Sequence, residues 1–417
     1  MRHMTAAVLC IGTELTRGEI VNTNATWLSG SLTGLGFEVT EVECVDDDRA
    51  RIQSTLARMG SNHEVIVATG GLGPTTDDIT SECAAAVLDV PLERHAESLA
   101  AIRKRMERFG RTMATSNEKQ ADFPKGATVL PNRKGTAPGF AIQLPRARAF
   151  FLPGVPREMK TMFGELVAPE IEPLVEERLV QVRLKTFGMT ESGVNDRLAG
   201  MEDEHNVVIG YRAHFPEIEV KLVARSASHE EAERRARGAA NEVRERLGPD
   251  TVYGEGDVTF SEALGALLEE RGWRLGLGES CTGGQVAALL TERSGASAYF
   301  AGGVVSYANT IKQEVLGVPP ALIESKGAVS SEVARAMAEG ARRLLGVDIT
   351  LALTGIAGPT GGTPEKPVGL VHYAVATADG TSDRQMVWPG SRAQVQRISA
   401  FAGLALIRSV LLHGHQK

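Results

Sequence analysis

One stretch decides the fold predicted for the last third of the chain: Gly276-Leu277-Gly278-Glu279-Ser280-Cys281-Thr282-Gly283-Gly284. It follows a predicted strand at 273–277 and precedes a predicted helix at 285–290. A glycine-rich turn from strand into helix leaves backbone N–H groups unpaired, and the helix dipole favours an anion or a developing oxyanion beside them. Ser280 lies in this turn, either as a nucleophile or as part of the helix cap.

The composition is that of an acidic globular protein. The chain has 417 residues, of which 42% are hydrophobic and 23% are charged, and its formal net charge is -7. This length predicts two or three domains, each with its own core. A net negative charge argues against broad DNA binding, which needs a basic surface, so nucleic acid is not an expected partner.

The cysteines and the apolar runs indicate where the protein resides. Cys10, Cys44, Cys83 and Cys281 are scattered without a C-x-x-C pair, so neither a disulfide framework nor a zinc site is predicted. The apolar run at 6–11 is too short for a secretory signal, and no run of 18 apolar residues occurs. We therefore expect a soluble, cytoplasmic protein with no membrane partner.

The first domain is predicted to be a mostly parallel sheet, because strands and helices alternate. The predicted elements are strands at 5–11, 37–45 and 64–68 and helices that begin near Asn24 and at 49. In such sheets, ligands bind beyond the carboxyl ends of the strands. Polar loops at 12–14, 46–48 and 69–80 follow the strands, so we expect a ligand site there.

The loop at 69–80 is typical of a phosphate-binding turn, except for its two carboxylates. Asp77 and Asp78 suit an anion only if a cation lies between carboxylate and phosphate, and the alternative is that one of them caps the next helix. Neither a P-loop nor a G-x-G-x-x-G motif occurs in this domain, which disfavours ATP-type and dinucleotide-binding folds.

Two further runs, at 135–140 and 152–159, complete a set of four motifs. In this order they resemble the molybdopterin-binding domain family and, within it, the amino-terminal domain of the CinA (competence/damage-inducible protein) family. The resemblance spans 5 to about 163. It implies cleavage of ADP-ribose to AMP and ribose 5-phosphate with a divalent metal, which would be Mg, Mn or Co.

The same resemblance implies roles for individual residues of the first domain. Asp46 and Asp78 are expected to be catalytic carboxylates and metal ligands, and Glu14 is expected to be a third ligand. The residues expected to surround the substrate are Gly70, Gly71, Gly73 and Asn24.

The middle segment is predicted to be a small α+β domain, similar to a KH or ferredoxin-like module. Its predicted elements are strands at 180–186 and 218–224 and helices at 190–198 and 229–247. The long helix places Glu four residues before Arg, which is typical of a solvated face. A G-x-x-G clamp is absent, so we expect a spacer or dimer-forming domain, and the breaker-rich run at 248–257 is interpreted as a linker.

A serine nucleophile needs a base, and the third domain offers few. His372, His413 and His415 are poorly placed along the chain, and the run around Ser280 departs from G-x-S-x-G at its last glycine. Lys312 remains, because a desolvated amine is able to act as a base, although an ordinary surface lysine is the alternative.

Three runs of the third domain, at 279–284, 300–312 and 354–359, resemble the carboxy-terminal domain of the CinA family, over about 260–411. That domain is similar to nicotinamide mononucleotide (NMN) deamidases with a Ser/Lys centre and no cofactor. The resemblance implies that Ser280 attacks the carboxamide, Lys312 takes its proton, and Tyr307 and Thr354 hold the array. The residues expected to bind the substrate are Thr282, Gly283, Gly284, Gly355, Arg392 and Arg397.

The predicted architecture is an α/β multidomain protein, in which two three-layer αβα domains are joined by a small α+β domain. The expected boundaries are 1–170, 171–252 and 253–417. We expect a homodimer that hydrolyses two small nucleotides, NMN and ADP-ribose. The alternatives are a molybdopterin-type binding module and a competence-related scaffold without catalysis in the first domain.

Overall fold

A computed structural model describes residues 4–108, 110, 112–292 and 294–415. The chain forms two compact units: one comprises the residues up to Val180 with Ala224–Arg234, and the other comprises Gln181–Val223 with the residues from Arg235 onward. Within these units the elements form three α/β domains in sequence order, as predicted.

The N-terminal domain is built around a six-stranded sheet with the order β2-β1-β3-β8-β7-β6. Its strands, with the separate pair β4 and β5, are β1 (Thr5–Ile11), β2 (Glu38–Val45), β3 (Val65–Thr69), β4 (Leu92–Arg94), β5 (Asp122–Pro124), β6 (Thr128–Leu130), β7 (Gly139–Gln143) and β8 (Arg148–Leu152). Its α-helices are α1 (Thr13–Thr16), α2 (Thr23–Gly34), α3 (Arg49–Asn62), α4 (Thr80–Leu88), α5 (Ala96–Arg108), α6 (Pro156–Met162) and α7 (Ala168–Ile171). Strands β2, β1, β3 and β8 run parallel, and β7 and β6 are antiparallel to their neighbours.

Helices cover both faces of this sheet, which confirms the predicted three layers. Leu28 of α2 and Met159 of α6 pack in the core on one face, and Ile52 of α3 and Cys83 of α4 pack in the core on the other. Because both faces are covered, all five residues of β3 are buried. The carboxyl ends of β1 and β3 then open into the polar loops at one edge of the sheet.

The middle domain has more strands than the sequence predicted. It contains the strands β9 (Arg178–Thr186), β10 (Val208–His214), β11 (Glu217–Ser226) and β12 (Val252–Glu255) and the helices α8 (Glu191–Arg197), α9 (Met201–His205) and α10 (His229–Leu247). The sheet order is β10-β11-β9-β12. The interpretation of 248–257 as a linker is wrong, because β12 pairs with β9 and buries Val252 and Tyr253. Strand β10 lacked a signal because neither of its faces is consistently apolar.

The C-terminal domain has a five-stranded sheet with the order β14-β13-β15-β16-β17. Its strands are β13 (Leu275–Glu279), β14 (Phe300–Val305), β15 (Ile349–Gly355), β16 (Leu370–Ala376) and β17 (Thr381–Val387). Its α-helices are α11 (Phe260–Arg271), α12 (Gln285–Thr291), α13 (Asn309–Glu314), α14 (Pro320–Lys326), α15 (Ser331–Leu345) and α16 (Arg392–His413). Strands β14, β13 and β15 are parallel, so their carboxyl ends meet at one edge of the sheet.

This domain is also three-layered. Leu264 of α11, Val286 of α12 and Leu404 of α16 share a core on one face of the sheet. Ile323 of α14 and Met337 of α15 share the core on the other face. The turn after β13 is therefore held between two packed layers at the edge where the three parallel strands end.

Helix α16 is long and apolar enough, by composition, to cross a membrane. It has 22 residues and a mean hydropathy of 1.5, but 67% of its apolar window is buried within the fold. A capping box at its start, in which Ser391 and Gln394 exchange hydrogen bonds, fixes its first turn. The helix is thus part of a protein core, and its apolar character is explained by that packing.

Candidate active sites

A buried lysine lies beside a buried serine at the carboxyl edge of the C-terminal sheet. Ser280 follows β13 and Lys312 lies on α13, and their side chains place Nζ 3.0 Å from Oγ. Lys312 is 2% exposed and Ser280 is 7% exposed. The Lys312 amine also donates to the backbone carbonyls of Ser306, at 2.7 Å, and Tyr307, at 3.3 Å. The structure therefore brings together the predicted nucleophile and base.

The surroundings of Lys312 favour the neutral amine. Burial lowers its pKa below the usual range of a lysine, because the charged form loses its hydration. A neutral amine has two hydrogens and one lone pair. In the structure the amine donates to the Ser280 hydroxyl and to the carbonyls of Ser306 and Tyr307; once neutral, it can keep the two carbonyl bonds and turn its lone pair to the hydroxyl proton of Ser280.

Glu279, directly before the serine, organises the turn. Its buried carboxylate accepts hydrogen bonds from the hydroxyl of Thr282 at 2.7 Å and from the backbone N–H groups of Gly284, Val286 and Ala287 at 3.0, 3.2 and 2.9 Å. These N–H groups belong to the first turn of α12, where a negative charge is stabilised by the helix dipole. Sequence reasoning missed this role, although a carboxylate before a glycine-rich helix start was visible.

We expect Glu279→Ala to lower the free energy of unfolding by about 2 to 4 kcal/mol, because it leaves a buried hydroxyl and three N–H groups without an acceptor. Urea denaturation measures the change. Glu270→Gln on the exposed side of α11 is the control, and it should stay within about 0.5 kcal/mol of the parent. Equal stability of Glu279→Ala and Glu270→Gln would contradict the assigned role of Glu279.

Most N–H groups of the glycine-rich turn already have acceptors. Gly283 and Gly284 have φ of +63° and +100°, which favours glycine, but their N–H groups already donate to the Ser280 carbonyl and to Glu279. These glycines shape the turn. Within the part of the chain that the structure describes, the N–H groups of Cys281 and Thr282 donate to no other residue. They are the donors that remain beside the serine.

Of the other predicted residues, Tyr307 and Arg392 are brought together. The guanidinium of Arg392 donates to the Tyr307 hydroxyl at 2.8 Å and to the Gly358 carbonyl at 2.9 Å. Tyr307 is 60% exposed, and its backbone carbonyl accepts from the buried Lys312 amine. Tyr307, which follows β14, and Arg392, at the start of α16, are thus in direct contact.

Arg397, Thr354 and Gly355 contact other groups, although Thr354 directly follows Leu353, which pairs with Glu279 across the sheet. Arg397 donates to the carbonyl of Phe215 in the middle domain, at 3.3 Å. The Thr354 hydroxyl donates to the Ala328 carbonyl at 2.8 Å, so it supports the loop before α15. At Gly355, a Cβ would meet the carbonyl of Leu370 at 2.7 Å, so this glycine permits the pairing of β15 with β16.

Two further residues contact the catalytic pair or its turn. Ser306 is fully buried, and its N–H and hydroxyl both donate to the Glu279 carbonyl, at 2.7 and 3.2 Å. Gln396 of α16 donates to the Cys281 carbonyl at 2.8 Å. Ser306 holds the end of β14 against the end of β13, and no motif in the sequence signalled either residue.

The N-terminal domain has a cavity of about 470 Å³ beyond the carboxyl ends of β1 and β3. The predicted residues Glu14, Asn24, Gly70, Gly71, Gly73 and Asp78 all line it. Its carboxylates are Glu14, Asp47, Asp77, Asp78 and Glu158. Among the residues that the structure describes, none that lines it is Lys, Arg or His. An anionic ligand therefore needs a cation to enter.

The glycines of this cavity are required by close approaches. A Cβ on Gly70, whose φ is +108°, would lie 2.0 Å from the Ile11 carbonyl, so the loop after β3 passes directly over the end of β1. Asn24 donates to the Gly154 carbonyl at 2.7 Å, and its buried Oδ1 accepts no hydrogen bond. That oxygen is available to a ligand.

Two of the three residues predicted to be metal ligands, Glu14 and Asp78, line the cavity. Asp46 does not line the cavity; it forms an ion pair with Arg51 at 3.2 Å, and its neighbour Asp47 lines the cavity instead. Asp46 fails as a site residue because a loop after a strand alternates the direction of its side chains, which sequence position alone does not resolve. Asp78 accepts from the N–H of Thr75 at 2.8 Å.

Carboxylate oxygens suit Mg²⁺ or Mn²⁺, which are held by one or two carboxylates and completed by substrate phosphates and water. Glu14 and Asp78 fit this donor set. Over residues 4–108, 110, 112–292 and 294–415, a compact three-ligand group occurs only in the middle domain, at Glu204, His205 and Glu242. There Arg246 already pairs with both carboxylates, so that group is an ion-pair network.

Comparison with known families matches all three domains. A probable molybdopterin binding domain matches residues 7–173, the damage-inducible protein CinA KH domain matches residues 181–254, and the CinA C-terminal domain matches residues 257–411. These matches confirm the resemblance found in the sequence and the KH character of the middle domain.

Curated relatives match over the full length. A CinA-like protein of Anaeromyxobacter dehalogenans is 46% identical over 98% of this chain and 100% of its own, and one of Geobacter sulfurreducens is 42% identical over 98% and 100%. A CinA superfamily protein structure from Klebsiella pneumoniae is 32% identical and covers 37% of this chain and 96% of its own, with a TM-score of 0.36. A competence/damage-inducible protein structure from Agrobacterium tumefaciens is 34% identical and covers 37% and 96%, with a TM-score of 0.35. On the full-length identity to its relatives, the chain belongs to the CinA family.

Proposed function

We propose that the C-terminal domain deamidates NMN to nicotinate mononucleotide and ammonia. The observation that carries this proposal is the buried Lys312 amine 3.0 Å from the Ser280 hydroxyl, with its pKa lowered by burial. Ser280 Oγ attacks the carboxamide carbon while Lys312 accepts the hydroxyl proton. Lys312 returns that proton to the leaving nitrogen, ammonia departs, and an ester remains on Ser280. Water, activated by Lys312, hydrolyses the ester.

The remaining groups bind charge at the two ends of the substrate. The N–H groups of Cys281 and Thr282 are the donors proposed for the oxyanion of the tetrahedral intermediate. The exposed guanidinium of Arg392, whose planar fork suits phosphate oxygens, is the proposed ligand of the 5'-phosphate, with the Tyr307 hydroxyl beside it. No cofactor is needed for this chemistry.

The N-terminal domain is proposed to cleave ADP-ribose to AMP and ribose 5-phosphate. The cavity lined by five carboxylates and no described cation supports this, since a diphosphate enters it only with a divalent cation. Such a cation supplies charge neutralisation of the diphosphate. Glu14 and Asp78 would hold it, the unpartnered Asn24 Oδ1 accepts a donor of the ligand, and Gly70 and Gly71 let the backbone approach closely.

One experiment tests both activities. The purified protein is incubated with NMN and with ADP-ribose, with Mg²⁺, Mn²⁺ or Co²⁺ and with EDTA, and ammonia and AMP are measured. Release of ammonia from NMN, and of AMP from ADP-ribose only with a metal, is the expected result. Absence of ammonia release would reject the first proposal, and absence of AMP under every metal would reject the second.

We expect EDTA and Asp78→Asn each to reduce ADP-ribose cleavage at least about 100-fold while leaving NMN deamidation within about twofold. The reason is that Asp78 is in the acidic cavity, whereas the Ser280 turn uses an amine as its base. Asp89→Asn, an exposed residue at the end of α4 in the same domain, is the matched control and should cleave ADP-ribose normally. Loss of NMN deamidation on addition of EDTA would contradict the assignment of the metal requirement to ADP-ribose cleavage alone.

A second candidate for the N-terminal domain is binding without catalysis. The match of residues 7–173 to a probable molybdopterin binding domain favours it. Under this alternative, the cavity binds a pterin phosphate tightly and ADP-ribose is not turned over with any metal. The same incubation therefore separates the two candidates.

We further propose a cytoplasmic homodimer, in keeping with the absence of disulfides among the described cysteines. Light scattering on the purified protein measures its mass, for which twice the chain mass of 44.5 kDa is expected. A mass of one chain at micromolar concentration would contradict the dimer.

A further inference from the structure

The middle-domain sheet presents a charged face to a cavity of about 320 Å³. On the paired strands β10 and β11, Arg212 lies opposite Glu219 and His214 lies opposite Glu217, so the four side chains share one face. Arg183 and Lys185 of β9 extend that face. A charged sheet face that lines a cavity needs a physical explanation, because charges avoid enclosed surfaces unless they bind a partner.

Glu219 is at the base of this cavity. It is 3% exposed, and its Oε2 lies 2.8 Å from Lys185 Nζ and 3.8 Å from an Arg183 nitrogen. Its other oxygen, Oε1, accepts no hydrogen bond, and the Nζ of Lys221 is 4.0 Å away. A buried carboxylate oxygen without a donor is costly, so this oxygen is placed to accept a hydrogen bond from a ligand.

Four cationic side chains, Arg183, Lys185, Arg212 and Arg397, line the cavity together with four carboxylates, Glu217, Glu219, Asp257 and Glu292. Arg183 also pairs with Asp257 at 2.9 Å, and the Tyr253 hydroxyl donates to Glu217, so these two carboxylates are engaged. In contrast, the described side chains offer no hydrogen-bond acceptor to Arg212 or His214. The guanidinium of Arg397 has one bond, to the Phe215 carbonyl next to His214, and it keeps other N–H donors.

The opposite wall comes from the C-terminal domain and mixes apolar with polar side chains. Phe260, Leu289 and Phe401 line it beside Thr259, Ser261 and Glu292, and the Arg397 guanidinium lies 5.6 Å from the centre of the Phe401 ring. The cavity thus combines cationic donors, one unpartnered carboxylate oxygen and several apolar side chains. We propose that it binds a phosphate monoester of ribose, with the phosphate on Arg212, His214 and Arg397 and a ribose hydroxyl donating to Glu219.

Each part of the ligand has its own requirement. Phosphate oxygens accept hydrogen bonds from the free guanidinium N–H groups, and inorganic phosphate alone is able to accept them. Only a hydroxyl donor attached to the phosphate satisfies Glu219 Oε1 as well. Ribose 5-phosphate should therefore bind more tightly than either inorganic phosphate or ribose.

Calorimetric titration of the full-length protein with ribose 5-phosphate, inorganic phosphate and ribose tests the proposal. EDTA is present throughout, so that no ligand binds at a cation-dependent site of the N-terminal domain. Arg212→Gln should weaken ribose 5-phosphate binding about tenfold, the effect of one charged hydrogen bond. Arg384→Gln, an exposed arginine on β17 outside the cavity, is the matched control and should bind as the parent does.

Glu219→Gln separates the two halves of the ligand. It should weaken ribose 5-phosphate while leaving inorganic phosphate binding unchanged or stronger, since it removes an acceptor and a negative charge. Unfolding curves show whether the variant is folded, and Arg212→Gln carries the test if it is not. Absence of binding in EDTA, or equal affinity in Arg212→Gln and Arg384→Gln, would overturn the proposal and leave an ion network that only joins the two domains. NMN and ADP-ribose turnover are measured separately, so a negative binding result would not bear on the proposed activities.

Discussion

Ser280→Ala is expected to reduce the rate of ammonia release from NMN by about 10³-fold or more, because no other group can form the ester intermediate. The residual groups, Arg392 and the N–H groups of the turn, still bind the substrate, so KM should change little. Steady-state kinetics with ammonia detection measures both constants. ADP-ribose cleavage by the same sample is the internal control for folding and should remain within about twofold of the parent.

Cys281→Ser is the matched control for this prediction. Cys281 is adjacent to Ser280 and 6% exposed, and burial raises the pKa of its thiol to about 12. The thiol therefore stays protonated at neutral pH, whereas a cysteine nucleophile must be a thiolate. Cys281→Ser should keep most of the deamidase activity. An inactive Cys281→Ser with an active Ser280→Ala would make the thiol the nucleophile.

Regular elements with strong local signals were predictable from the sequence. The bounds of helix α10, at His229–Leu247, agree with the prediction because its apolar and charged positions follow a helical period. Strand β12 was missed because its partner β9 is distant in sequence, and strand β10, which pairs with the adjacent β11, was missed because neither of its faces is consistently apolar. A strand held by pairing and not by its own alternation leaves little local signal.

Residues of the candidate sites were also predictable where the local sequence carries a signal, and not where tertiary contacts decide the direction of a side chain. Ser280 was predicted from its glycine-rich turn after a strand, and Lys312 from the lack of a well-placed histidine and from the resemblance of 300–312 to the CinA family; the structure places both at the edge where the parallel strands end. Asp46 was predicted from the family resemblance, but in the structure it pairs with Arg51, and Asp47 lines the cavity. The direction of a loop side chain depends on tertiary contacts, which no motif encodes.

Lys312→Arg distinguishes a base from a positive charge at this position. A base must be neutral before it accepts the serine proton, and burial of the Lys312 amine lowers its pKa in that direction. Arginine stays protonated at any working pH, so it keeps the charge and loses the base. We expect kcat for NMN to fall about 10²- to 10⁴-fold in Lys312→Arg, as much as in Lys312→Met, with KM within a few-fold.

The pH dependence supplies the second measurement. In the parent protein, kcat/KM should rise with pH as the Lys312 ammonium of the free enzyme loses its proton, and it should level off below the range of an ordinary lysine, because the pKa is lowered. Lys326→Arg, an exposed lysine on α14, is the matched control and should keep both the rate and the profile. If Lys312 is instead a phosphate clamp, Lys312→Arg keeps kcat and Lys312→Met chiefly raises KM. A near-normal kcat in Lys312→Arg would then remove Lys312 from the catalytic residues, since a group that never loses its proton cannot have taken one from Ser280.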